Sequence, residues 1–124
     1  MFIMLGYDGE DLSDLRATVD HLKRTAPDVF LTTVSYPIKG TPYYDAISDR
    51  LAEVRPWQAS TDRDLVVRGR PVKTYYDFAR RWLTAEVARD QHWRRGRYAR
   101  AAKAASSALV GRVGMAVTEH WRER

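Results

Sequence analysis

Two short apolar runs with a single helical pattern between them constrain this chain more than any other feature. The first run is FIML at residues 2–5, and the second is VFLTTVS at residues 29–35. The first is continuous and apolar, which suits a strand buried on both faces. The second is rich in β-branched and aromatic residues, which suits a pleated surface. Between them, Leu12, Leu15, Val19 and Leu22 recur at spacings of three, four and three. That periodicity places them on one helical face. Asp11 is the expected N-cap, with Asp14 as its capping-box partner, and Pro27 stops the helix. A strand, a helix and a second strand in so few residues make a parallel, right-handed βαβ unit. Pro42, capped by Thr41, opens a further helix predicted over 42–54, with Tyr43 or Tyr44, Ile47, Leu51 and Val54 facing inward. The expected class is α/β.

Two parallel strands leave open edges and faces, and all-parallel sheets occur almost only with both faces covered. The two βα units thus read as part of a (β/α) barrel, an incomplete domain occupying 1–55. A polar stretch with Pro56 and the break at Gly69-Arg70-Pro71 mark a linker over 56–71. Leu65, Val66 and Val67 within it read either as a brief strand or as an apolar tether. Residues 72–124 read as a helical extension. Its first helix, about 72–95, carries Val72, Tyr75 or Tyr76, Phe78 or Ala79, Trp82, Leu83 and Val87, and Gly96 interrupts it. The last helix, about 97–121, places Ala101, Ala105, Ala108, Leu109, Val113, Val117 and Trp121 near one side.

Charge divides the chain. Its 124 residues carry a net +5, with −4 in residues 1–62 and +9 in 63–124. The basic half suits either solvated helix faces or a surface meeting phosphate, an anionic membrane or an acidic protein. Arg80, Arg81, Arg94, Arg95, Arg97 and Arg100 near Trp82, Trp93 and Tyr98 also suit phosphate contact with base stacking. No nucleic-acid motif is present, so nucleic acid is not the expected partner. The alternative function is a small basic binding module for nucleic acid, or a partner subunit that completes a barrel. The chain has no cysteine. Disulfides, thiolate nucleophiles and thiolate metal sites are excluded within it, and a cytoplasmic location is the default. No apolar run is long enough to span a bilayer. His21, His92 and His120 lie on three separate predicted helices without metal-ligand spacing. No catalytic residue and no metal ligand is predicted.

The best candidate site is the pair of βα loops, because ligands in parallel α/β folds bind at the carboxyl ends of strands. The first loop holds Gly6, Tyr7, Gly9 and Glu10, and the second holds Tyr36, Pro37, Gly40 and Thr41. Gly6 and Gly9 allow close backbone approach, Glu10 suits an amine or ribose hydroxyl, and Tyr36 suits a planar ring. The same residues also read as turn and cap chemistry alone.

At these loops the sequence resembles a known family. MFIMLGYDGEDLSDLRATVDHLK resembles the later strand of radical S-adenosylmethionine enzymes, where Gly-x-Pro-Gly-Glu leads into a helix. SYPIKGTPYYD resembles the next strand and loop, Pro-x-x-Gly-Thr-x-x-Tyr. DRDLVVRGRPVKTYYDFARRWL resembles the basic, aromatic tail of some members. The resemblance spans about residues 1–95 and is greatest to the cobalamin-binding branch, with anaerobic magnesium-protoporphyrin ester cyclases and radical methyltransferases. It implies a partial or full (β/α) barrel in which an iron–sulfur cluster, held by Cys-x-x-x-Cys-x-x-Cys, cleaves S-adenosylmethionine to a 5′-deoxyadenosyl radical that acts on a small-molecule substrate. Cobalamin sits in an N-terminal domain of this branch. Mapped here, Gly6, Tyr7, Gly9, Glu10, Tyr36, Pro37, Gly40 and Thr41 belong to the adenosine side. Asp8 stands where the pattern has proline, and the cluster cysteines are missing. The chain is therefore expected to be a C-terminal part of such an enzyme, inactive alone. Its expected partner is the missing N-terminal half of the barrel, on the same or a separate chain.

Overall fold

The computed structural model describes residues 1–53 and 65–124. It is a mixed helix and strand structure, mostly helical, with two small two-stranded sheets. The first half opens with β1 (Phe2–Leu5), α1 (Leu12–Thr25) and β2 (Leu31–Val34). β1 and β2 are parallel, with Phe2 opposite Leu31 and Leu5 opposite Val34. The ladder runs one residue past each end, as Leu31 N–H donates to Met1 O at 3.0 Å and Ser35 N–H to Leu5 O at 2.7 Å. The expected βαβ order is thus present with parallel pairing. Among the described residues the strands form two separate pairs and close no barrel.

α1 forms where the apolar period and its caps agree. The Asp11 side chain accepts from Ser13 N–H and Asp14 N–H, while the Asp14 side chain accepts from Asp11 N–H. This reciprocal box satisfies donors that a helix start leaves without partners. Leu15, Val19 and Leu22 are buried. The helix ends on Ala26 in the left-handed region, just before Pro27.

The helix expected over 42–54 requires correction. α2 covers only Pro42–Ala46, a single 3-10 turn follows at Ser48–Arg50, and Leu51–Glu53 is strand β3. Val54 and residues 56–64 of the expected linker lie outside the described residues. Thr41 caps α2 as expected, its Oγ1 accepting from Tyr44 N–H at 3.3 Å. The Ser48 hydroxyl then donates to Asp45 O at 3.0 Å, a local bond that competes with helix continuation. β3 gains backbone partners instead from β4 (Leu65–Val67), antiparallel, with Leu51 opposite Val67. Pairing with distant β-branched residues outweighs the weak helical preference of the segment. Leu65, Val66 and Val67 are therefore a strand and not a tether.

α3 (Lys73–Arg94) and α4 (Tyr98–Thr118) form a helical hairpin turning at Gly96. The chain end returns to the start of α3. Val72 N–H donates to Trp121 O at 3.1 Å, and Glu123 N–H donates to Arg70 O at 2.9 Å. α3 buries Tyr76, Ala79, Trp82, Leu83, Ala85 and Val87, close to the expected stripe. α4 matches the expected stripe at Ala101 and Ala108 and departs from it beyond them. It buries Ala101, Ala108, Gly111, Met115 and Thr118 against the rest of the molecule. Leu109, Val113, Val117 and Trp121, expected inside, are exposed. Small residues win the inner face because they let the two helix backbones approach closely.

One core joins the two halves of the chain. Leu5, Leu15, Val19 and Leu22 pack with Tyr76, Ala79, Leu83, Val87 and Met115, so residues on both sides of the expected 56–71 linker share it. Lys23 bridges to Glu86 at 2.9 Å, tying α1 to α3 from largely buried positions. The β1–β2 pair is covered on one face only. Ile3 and Val34 pack on the core, whereas Phe2, Met4 and Leu31 are exposed on the opposite face.

Candidate functional site

The carboxyl ends of β1 and β2 bring several polar groups together beside the core. Gly6 follows β1 directly, has φ +75 and is buried. A turn follows, with Glu10 N–H donating to Tyr7 O at 3.1 Å. That turn brings the Glu10 carboxylate back to accept from Gly6 N–H at 2.6 Å. Beneath Gly6 lies the Tyr76 ring of α3, so close that a Cβ at Gly6 would sit 2.7 Å from it. Glycine is required here both for the left-handed φ and for the approach of the ring.

Arg70 completes the arrangement. Its Nη1 donates to Ser35 O at 2.8 Å, just beyond β2. Its guanidinium lies over the Tyr76 ring, 4.8 Å from the centroid. A cation over an aromatic face is attractive and holds both groups in place. The ends of both strands, the β4–α3 turn and the start of α3 therefore converge on one guanidinium.

Burial raises the pKa of Glu10, aided by Asp14 and Asp11 and opposed by the bond from Gly6 and the charge of Arg70. Burial likewise raises that of Tyr76, with Arg70 opposing. Glu10 is thus a half-buried acceptor with one oxygen on Gly6 N–H and the other able to meet a hydroxyl or an amine. A folded pKa above the ordinary 4.5 means the folded chain holds this proton after the unfolded chain has lost it. This contribution to stability is complete below pH 4.5 and is lost as pH rises through the folded value. Glu10→Gln keeps an acceptor for Gly6 N–H and removes the titration. Urea midpoints measured in pH steps should show the variant gaining on the parent from about pH 4.5 upward, then holding a constant lead. Parallel curves would show that Glu10 is not desolvated.

Two depressions flank this point. A cleft of about 340 Å³ lies beside β2 and β4, where Ser35, Tyr36, Arg70, Tyr76 and Arg80 meet. A shallower groove of about 390 Å³ lies between β1 and α1, lined by Phe2, Met4, Tyr7, Glu10 and His21. The structure brings Gly6 and Glu10 into direct contact, puts Tyr7 and Glu10 on the groove, and puts Tyr36 on the cleft. Gly9 is exposed in the first turn. Pro37 is buried, Gly40 is an exposed turn residue, and Thr41 is spent on capping α2; none of the three lines either depression. Asp8 pairs with Arg50 at 3.2 Å. Such exposed pairs contribute little to stability.

Sequence reasoning passed over Arg70 and Tyr76 as site residues. The Gly69-Arg70-Pro71 break marks a turn there, but no local signal gives Arg70 its contact with Ser35 O. No group of three or more His, Asp or Glu among the described residues is placed to hold a metal ion. With no cysteine in the chain, its residues do not fit an iron–sulfur cluster as ligands.

No protein-family model, no curated protein and no solved structure matches this chain.

Proposed function

We propose that this chain supplies one wall of a radical S-adenosylmethionine type site, its βα loops facing adenosine or substrate while the cluster is ligated by other polypeptide. The observation that carries the reading is the one-sided parallel pair. β1 and β2 run parallel, α1 and α3 cover one face, and the other face is left with Phe2, Met4 and Leu31 exposed at 70%, 55% and 56%. In a (β/α) barrel the helices cover the outside, and the residues on the opposite face of each strand fill the interior. Phe2, Met4 and Leu31 are the residues such an interior would take. The Gly6–Glu10 turn and Ser35–Tyr36 then lie at the carboxyl ends of the strands, where the sites of such barrels are built. When bound, the cluster and S-adenosylmethionine supply the radical. In this reading Glu10 accepts from a ribose hydroxyl or an amine, Tyr36 covers a planar ring, and Arg70 with Tyr76 holds the two loops in position.

The test is anaerobic immunoprecipitation of the native protein from its source cells. The expected assembly, in one chain or two, contains Cys-x-x-x-Cys-x-x-Cys, carries iron and binds S-adenosylmethionine. A native species near 14.3 kDa, free of iron and with no affinity for S-adenosylmethionine, would sink the proposal.

A further inference from the structure

The outward face of α4 is apolar over several turns. Leu109, Val113 and Val117 stand in one line at successive turns, 65%, 54% and 60% exposed, with Val110 beside them. Apolar faces of this kind on soluble chains mark sites that meet another phase or partner. Along α4 itself the charge has one sign. From Gln91 to Thr118 the sequence has no carboxylate, while Arg94, Arg95, Arg97, Arg100, Lys103 and Arg112 are all cationic.

A groove of about 620 Å³ lies between α3 and the first half of α4, ahead of the stripe. Arg80, Arg81, His92, Arg100, Lys103 and Ser107 line it. The carboxylate on its wall, Asp77, is already held by Lys73 at 2.8 Å and by Arg80 at 3.0 Å. Among the described residues no ion pair engages Arg100 or Lys103. Among the described residues His92 Nδ1 is buried with no hydrogen-bond partner. At the hairpin tip Trp93 and Tyr98 stack edge to face at 5.0 Å, both largely exposed, and Trp121 is exposed beyond the other end of the stripe.

We propose that the α3–α4 hairpin docks in the plane of an anionic phospholipid surface. The stripe lies against the boundary of the acyl chains, and the cations of the groove and tip meet lipid phosphates. Trp93, Tyr98 and Trp121 sit at headgroup level, where amphipathic rings are favoured. An apolar face rimmed by cations and aromatics is the pattern of helices that lie on membranes. No helix among the described residues is long and apolar enough to cross one, so the contact is peripheral. A second copy of the chain is a poor occupant, because cations would meet the same cations. Nucleic acid would engage the cations and leave the stripe bare.

The test is sedimentation of the full chain with vesicles of phosphatidylcholine alone or mixed with phosphatidylserine, with Trp fluorescence as a second readout. Partition into the phosphatidylserine vesicles only, weakening as salt rises, is expected. Each lost cation should weaken it about fivefold. Arg100→Glu with Lys103→Glu, and separately Leu109→Ser with Val113→Ser, change exposed positions and should both abolish it while far-UV circular dichroism is unchanged. Failure of the folded parent to partition, or unchanged partition of either variant, would overturn the proposal. So would binding of inorganic phosphate, an oligonucleotide or polyglutamate without binding of vesicles. None of these residues belongs to the β1–β2 loops, so the result is independent of the radical-enzyme reading.

Discussion

Replacing Gly111 with valine is expected to destabilise the helical hairpin severely. α4 passes α3 so closely here that a Cβ at Gly111 would sit 2.7 Å from Trp82 N and 2.9 Å from Trp82 Cα. These are backbone atoms and cannot rotate away. One turn on, a Cβ at Gly114 would meet the Phe78 ring, so the whole crossing is built on absent side chains. For Gly111→Ala, overpacking of about 1–3 kcal/mol is partly offset by about 1 kcal/mol of better helix propensity. Valine adds two more carbons and loses most of that propensity gain, so its cost rises to about 3 kcal/mol or more. That is a large share of the roughly 5–15 kcal/mol that holds a typical domain together. Ala116→Val, on the exposed side of the same helix, is the control and should cost only a few tenths of a kcal/mol. Urea midpoints of the three variants decide the matter. Gly111→Val behaving like Ala116→Val would mean that the helices do not cross at this glycine.

Gly6→Ala should be the most damaging small change at the candidate site. It forces an L side chain into φ +75 and drives its Cβ to 2.7 Å from the Tyr76 ring and 3.1 Å from Arg70. The backbone term is about 1–2 kcal/mol, and displacing a packed ring adds about 1–3 kcal/mol. Gly9 isolates the first term. It has φ +83 with nothing within 4 Å of its missing Cβ, so Gly9→Ala should lose only about 1–2 kcal/mol. Thermal melts give the stability difference, and near-UV circular dichroism reports the tyrosine environment. Gly6→Ala should change both, and Gly9→Ala only the first. Equal effects at the two glycines would remove Tyr76 from the site.

Much of the first half was legible because its signals are local. Asp11 and Asp14 cap α1 by contacts within three residues, and Leu15, Val19 and Leu22 share a face through helix geometry alone. Glu10 was legible as a polar group beside Gly6 for the same reason, since one tight turn joins them. The helix expected to reach Val54 shows the limit of such reasoning. Residues 47–53 have no strong preference of their own, and pairing with Leu65–Val67 decides their state. Arg70 shows the same limit at the site. Nothing near it in sequence indicates that it spans Ser35 O and the ring of Tyr76.

α4 separates the two kinds of information most clearly. Its period announces a helix, and its alanines favour one. Which side faces inward is a different question, because both sides are apolar enough to be buried. By size and hydrophobicity, Leu109, Val113 and Val117 are the natural core residues. The tertiary structure keeps the expected Ala101 and Ala108 inside but buries Gly111, Met115 and Thr118 in place of those three, since at Trp82 the backbone of α3 leaves no room for a side chain. The amino-acid sequence alone determined the parallel βαβ start, the capped helix and the absence of cysteine chemistry, because each rests on neighbours or on composition. The inner face of α4, the β3–β4 pair and the placement of Arg70 were decided only in three dimensions, where backbones meet that are far apart in the chain.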